Sequence, residues 1–256
     1  GGAPDRVPCM CLDDIMPRGD LELGLRQRGM GLCLTRPVVW CEYPHVDVEV
    51  RAEGDLATLT YHTPRGDLTV RRRQHVGRIA PDASCELDGL IKTSADIEAA
   101  IAIAEDAIFH VDASAYNDTR FEIGTDGLVR CEGPQPPYDL TCELAGYHPG
   151  MLNQHQALTN WLYLQHNSPV RFAALLDALE AQEQRRLEAV IAAPTELVLL
   201  GRVDGQMGPR RWREQVLPFY QRIVPKLHAA GKLCGLHAHA ANLAAYAELV
   251  AETGVD

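Results

Sequence analysis

The segment Leu236-His237-Ala238-His239-Ala240-Ala241 sets two imidazoles two residues apart. On a β-strand successive side chains alternate, so positions i and i+2 share a face and both rings can reach one metal ion. The small alanines beside them leave room for an ion and its ligand. The same spacing also suits two hydrogen-bonded histidines in a cavity mouth, and it leaves both roles open. Upstream, Gly201-Arg202-Val203-Asp204-Gly205 brings a guanidinium and a carboxylate to the end of an apolar run. There Asp204 can serve as a third metal ligand, a proton acceptor or a substrate anchor, or simply pair with Arg202. Tyr147 and His148, with His155 shortly after, fall in a Gly-, Pro- and Asn-rich stretch of the kind that covers a site, although a loop histidine is commonly just solvated. The chain has no Gly-x-Ser-x-Gly elbow and no His-Glu-x-x-His helix, so nothing in it points to those hydrolase chemistries.

These residues need elements to hold them. Glu196 to Gly201 reads as a strand buried on both faces, and Lys232 to His237 as the next one. Between them the spacing predicts a helix through Trp212, Val216, Phe219, Ile223 and Leu227, bent at Pro218 and ended by Gly231. Ser168-Pro169 predicts the start of another helix, with the stripe Phe172, Leu175, Leu176 and Leu179, which runs to about Ala192 before Pro194. Thr93 and Asp96 resemble a capping box ahead of Ile97, Ala100, Ile101 and Ala104. A last helix is expected over Leu243 to Thr253, closed by Gly254, with Val255-Asp256 opening one more strand. Asp112 to Asp118 reads as a polar loop, and Thr125-Asp126-Gly127 as a turn.

Strands alternating with helices predict parallel βα units. No Gly-x-Gly-x-x-Gly or phosphate loop follows any of these strands, which favours a (β/α) barrel over a nucleotide-binding sheet. In a barrel the chemistry gathers where strands end and βα loops begin, and His237, His239, Arg202 and Asp204 all fall there. Residues 38–75 differ in texture: Val-, Thr- and Tyr-rich runs meet at Pro64-Arg65-Gly66-Asp67, predicting an antiparallel β-hairpin elaboration. Arg71-Arg72-Arg73 within it alternate in direction along a strand and suit a solvated edge.

The 256 residues, 46% hydrophobic and 23% charged, suit one domain spanning 1–256. A net charge of -11 repels phosphate backbones and anionic lipid, so nucleic acid is not an expected partner. With no apolar run of roughly 18 residues and no basic-then-apolar start, the expectation is a cytoplasmic protein away from the membrane. Eight cysteines without CxxC pairing read as reduced thiols, Cys9-x-Cys11 included.

Pro218-Phe219-Tyr220 leading to the His237-x-His239 strand and then to Gly254-Val255-Asp256 resembles the uroporphyrinogen decarboxylase superfamily. Thr63-Pro64-Arg65-Gly66 is similar to that superfamily's T-P-x-G hairpin, and Ile91-Lys92 with Asp96 to its I-K-x-x-x-D helix entry. The resemblance covers roughly residues 20–256. It implies an α/β fold, a (β/α)8 TIM-type barrel with an N-terminal β-hairpin elaboration. Its decarboxylases carry Arg-Gln-Ala-Gly-Arg after Pro-Val-Trp, whereas here Arg26-Gln27-Arg28-Gly29 precedes Pro37-Val38-Val39-Trp40. Its cobalamin-linked methyltransferases bind zinc with His-x-Cys and a later cysteine, and His237-Ala238-His239 falls on that pair.

The resemblance thus implies zinc on His237 and His239, while by their positions in the chain Asp204 is the candidate acid or base and Arg202, Tyr147 and His148 are the candidate substrate contacts. It also implies a small methylated substrate and a corrinoid (cobalamin) protein as partner; the sequence leaves the oligomeric state open, a homodimer included. Histidine stands where the family has cysteine, and the later ligand and the last barrel strands fall beyond Asp256, so a partial barrel is expected. Two neutral imidazoles leave zinc a stronger Lewis acid than thiolates do, which favours demethylation of an O-methyl donor. Tetrapyrrole decarboxylation and a non-catalytic barrel are the alternatives.

Overall fold

A computed structural model describes residues 9–12, 19–74, 84–147, 154–203, 207–238 and 242–256. The strands are β1 (Cys9–Leu12), β2 (Met30–Thr35), β3 (Val39–Glu42), β4 (Asp47–Glu53), β5 (Leu56–Thr63), β6 (Gly66–Arg73), β7 (Cys85–Glu86), β8 (Ile108–Val111), β9 (Gly127–Glu132), β10 (Leu197–Val203) and β11 (Leu233–Ala238). The helices are α1 (Asp20–Arg26), α2 (Ile97–Asp106), α3 (Ser114–Ile123), α4 (Pro137–Leu144), α5 (Gln154–Asn167), α6 (Pro169–Ala192), α7 (Gly208–Gln215), α8 (Leu217–Ala229) and α9 (Ala247–Glu252), the last preceded by a 3-10 turn over Leu243–Tyr246. The chain gathers into two compact units, one of residues 1–40, 109–134 and 186–256, the other of residues 41–108 and 135–185.

The first unit holds a five-stranded sheet in the order β1-β2-β9-β10-β11, parallel throughout. Spatial order follows chain order, so the sheet lacks the reversal at which a doubly wound fold binds its ligand. An unreversed parallel run is the progression of a barrel, present here as an open, partial one. One face of it is packed. Leu32, Leu34, Val129 and Ile123 of α3 form a buried cluster with Met30 and Tyr116 against it. Further along the same face Val198, Leu200 and Cys234 are buried, and α8 packs on β11 with Tyr220, Val224 and Leu227 turned inward.

Glu196, just ahead of β10, ties this layer together. Its carboxylate accepts hydrogen bonds from the Val129 N–H (2.8 Å) and the Tyr116 hydroxyl (2.6 Å). The bond to Glu196 pushes the Tyr116 hydroxyl above its ordinary pKa, because ionising it would set two anions side by side. Lys232, buried ahead of β11, donates to the carbonyls of Ala193 and Thr195.

In the second unit β4, β5, β6 and β7 form an antiparallel meander. Leu68 and Val70 are buried on its packed face, and α2 contacts β5 and β6 while burying Ile97, Ala100, Ile101 and Ala104. Arg71, Arg72 and Arg73 meet Asp88 (2.7 Å), Glu86 (3.0 Å) and Asp55 (3.4 Å). Arg185 of α6 donates to the carbonyls of Ala104 (2.7 Å) and Ala107 (3.2 Å), capping the end of α2.

Several expectations change in detail. The Val39–Glu42 run lies outside the meander: Pro44 interrupts the chain before β4, and β3 pairs with β8 instead, where Trp40 stacks on His110 at 4.4 Å. The helix expected through Trp212 to Leu227 is two helices, broken at Val216 because Pro218 lies in the first turn of α8. The polar stretch from Asp112 begins α3: Asp112 Oδ1 accepts from the Ser114 N–H (2.8 Å) and hydroxyl (2.6 Å), bonds that hold its carboxyl below the ordinary range. Ser168 and Pro169 start α6 as expected, and it runs to Ala192.

Gly89 and Gly146 cross in near contact in the second unit. A Cβ on Gly146, where φ is +93°, would lie 2.6 Å from the Gly89 nitrogen, backbone that cannot rotate away. Gly146→Ala is therefore expected to destabilise the protein by about 2–4 kcal/mol, from a left-handed backbone and an overpacked crossing. Urea unfolding measures it, and a loss below about 0.5 kcal/mol would show that the crossing relaxes.

Candidate functional site

The open face of the parallel sheet follows from strand alternation. Register pairs Thr35 with Arg130, Arg130 with Leu197, Leu199 with both Glu132 and Gly235, and Arg202 with His237. In-register partners on neighbouring parallel strands project to the same side, with the strands about 4.8 Å apart. Cys33, Leu128, Leu197 and Leu233 therefore lie toward the amino ends of this face. Thr35, Arg130, Glu132, Arg202 and His237 lie toward its carboxyl ends. It is less covered than the helix side: Leu197, Leu199 and Arg130 are half-buried, while Glu132 and His237 are exposed. Apolar residues thus give way to charge along the strands.

Arg202 reaches this face through an irregularity. Strict alternation would set residue 202 with Val198 and Leu200, on the side buried under helices. Between Leu199 and Arg202 the register with β11 slips, so that two residues of β10 stand opposite Leu236 alone. Gly201 sits in this bulge at φ +37°, a conformation that glycine adopts without the Cβ penalty. The extra residue returns Arg202 to the open face beside His237 and sends Val203 to the packed side, where it is 1% exposed.

Arg202 and His237 are thus brought together as register partners on adjacent strand ends. Asp204, His239 and His148 lie outside the described residues. Tyr147 belongs to the second unit, where it is buried and its N–H donates to the Cys142 carbonyl at 3.0 Å. His155 is an exposed residue of α5.

Thr35, Arg130 and Glu132 are the residues that sequence reasoning missed. Arg130 Nε donates to the Thr35 hydroxyl at 2.7 Å, which fixes the guanidinium along the open face. The available signal was the alternation of Leu128, Arg130 and Glu132 with Val129 and Cys131, a two-residue period that marks a strand.

Another group of metal-type side chains lies at the opposite, amino end of β11. His228, Cys234 and Asp256 offer donor atoms within 4.8 Å of one another. Asp256 Oδ2 accepts from the Cys234 N–H at 2.8 Å and lies 3.0 Å from His228 Nε2, while the Asp256 N–H donates to the Cys234 carbonyl at 3.0 Å. Burial, reinforced by the Asp256 charge, pushes the Cys234 thiol up to about 12, so it stays protonated at neutral pH. This arrangement works as a clamp between α8, β11 and the residues after α9. In the second unit a cavity of about 330 Å³ is lined by Arg71, Asp88, Lys92, Gln156 and Asn160. Its two cations are engaged, Arg71 by Asp88 and Lys92 by the Thr69 carbonyl and hydroxyl.

No described helix is long and apolar enough to cross a membrane. No protein-family model matches the chain, and no curated protein matches it.

The clamp predicts a pH dependence. The Cys234 N–H, assisted by His228, holds the Asp256 carboxyl below the usual carboxylate range despite some desolvation. A depressed carboxyl contributes stability above its unfolded pKa, about 4, and loses it as pH falls through the folded value. Asp256→Asn is expected to flatten the decline of Tm below about pH 4. A variant whose acid limb overlays that of the parent would show that the clamp adds nothing.

Proposed function

We propose that the chain is part of a (β/α)8 barrel of the uroporphyrinogen decarboxylase type and acts as a cytoplasmic, zinc-dependent methyltransferase. It would move a methyl group from a small O-methyl donor to a corrinoid protein. The observation that carries this reading is the pairing of Arg202 with His237 on the open face, at the carboxyl ends of parallel strands. That is where barrel enzymes assemble their chemistry.

The residues suit zinc: His237 is exposed on the open face, whereas the buried thiol of Cys234 faces the other way. His237 and His239 would hold the ion, and bound there it supplies Lewis acidity to the donor oxygen. Arg202, aimed to the same side by the bulge, orients the donor through an acidic or polar substituent. Arg130, braced by Thr35, adds a second fixed cation lower on that face. Asp204 manages the proton of the oxygen that loses its methyl group. The apolar floor of Leu128, Leu197 and Leu199 suits a hydrocarbon body, and the polar rim suits its oxygen substituents.

Tetrapyrrole decarboxylation is the second reading, and the two guanidinium groups on one face favour it, since they fit the carboxylates of such a substrate. Metal dependence separates the two. Protein purified without chelators is expected to carry about one zinc per chain at this site, lost in the His237→Ala, His239→Ala double variant. Demethylation of a methoxylated donor, assayed with a corrinoid protein, should fall about 100-fold or more with it. Arg202→Ala should raise KM about tenfold with a smaller change in kcat. Full demethylation by zinc-free protein would overturn the methyltransferase reading, and zinc-free decarboxylation of a porphyrinogen would establish the second.

A further inference from the structure

β4 is the outermost strand of the meander, with β5 on one side and no strand on the other among the described residues. All seven of its residues are exposed. Its register with β5 runs unbroken from Asp47 opposite His62 to Glu53 opposite Leu56, so no bulge bends the open edge away. The strand also lacks Pro and Lys, two residues that commonly protect such edges. Every second residue directs its N–H and C=O away from β5, and these groups can pair with another strand.

The two faces of β4 differ. Val48, Val50 and Ala52 continue the apolar face that Tyr61, Leu59, Leu68 and Val70 form across β5 and β6. That face is closed at β6, where Leu68 and Val70 are 2% and 4% exposed, and open at β4, where Val48 and Val50 are 49% and 58% exposed. Asp47, Glu49, Arg51 and Glu53 make the other face, where Arg51 Nε reaches Glu49 Oε1 of its own strand at 2.9 Å.

We infer that β4 pairs with β4 of a second copy of this chain, antiparallel about a two-fold axis at Val50. Opposed residues in an antiparallel pair share a face, so only registers that match like faces are admissible. Centring on Val50 sets Val50 against Val50, Val48 against Ala52, and Glu49 against Arg51 twice. Centring on Glu49 or on Arg51 loses these pairs and opposes glutamate with glutamate. The one like-charged pairing in the favoured register, Asp47 with Glu53, falls at the two ends, where solvent screens it. The joined sheets form an eight-strand sheet from two four-strand ones. The exposed Val50 of each copy then packs beside that of the other, and Val48 beside Ala52.

Sedimentation equilibrium of the whole chain over a range of concentrations tests this. A monomer–dimer equilibrium is expected. Glu49→Arg sets arginine against arginine, and Arg51→Glu sets glutamate against glutamate, so each single variant should raise the dimer Kd about tenfold or more. The double variant Glu49→Arg, Arg51→Glu restores opposite charges across the seam and should restore the dimer, with circular dichroism showing all three variants folded. A chain that stays monomeric throughout, or a dimer that both single variants leave intact, overturns the inference.

Discussion

The extra residue in β10 decides what the parallel sheet can do. Side chains on a strand have only two directions, so one inserted residue exchanges the faces of everything after it. Without the bulge at Gly201, Arg202 would carry its guanidinium under the helices, and Val203 would stand on the open face. With it, the packed side keeps an unbroken apolar series from Val198 through Leu200 to Val203, while the strand end delivers its cation beside His237. Burying a charge costs several kcal/mol, far more than a bulge, so packing and site chemistry favour the same irregularity.

The packed face then fixes where the open face stands. Leu32, Leu34, Val129 and Ile123 lock β2 and β9 against α3, and the Glu196 carboxylate binds the Val129 N–H from the start of β10. Three strands are thereby held in one register, which carries Thr35, Arg130 and Arg202 to defined heights. A slip of one residue at Val129 would move Arg130 to the helix side and bring Cys131 out. Cys131 is held neutral by burial, which raises its thiol pKa, so its present place suits it as a small apolar filler.

Periodicity made some of this legible in the sequence. The Ser168-Pro169 start, the runs ahead of Arg202 and His237, and the Pro64-Arg65 turn each carry a local signal strong enough to survive folding, and the structure keeps them. β9 was hidden because Thr125-Asp126-Gly127 looks like a turn and the next five residues mix charge with apolar groups. In an open sheet that mixture is the signature of a strand covered on one side only. The one-residue slip in β10 has no local signal beyond a glycine, since its cause is the packing of Val203 in three dimensions. The pairing of β3 with β8 joins segments more than 60 residues apart, and nothing within either run names its partner.

Polar groups at the two ends of the strands serve different ends, and their partners show it. At the amino ends Glu196, Lys232 and Asp256 each bind backbone groups of a neighbouring strand or loop, satisfying N–H and C=O groups that would otherwise be left over where a strand begins. Their geometry is set by the main chain, and replacing them disturbs register before anything else. At the carboxyl ends, Glu132, Arg202 and His237 share the open face above a floor of leucines, and their placement comes from alternation and the bulge. A barrel separates stability from chemistry in this way. Exchanging a residue at the amino end should therefore be felt in unfolding, whereas Glu132 and His237 at the carboxyl end are exposed and can be exchanged at less cost to packing.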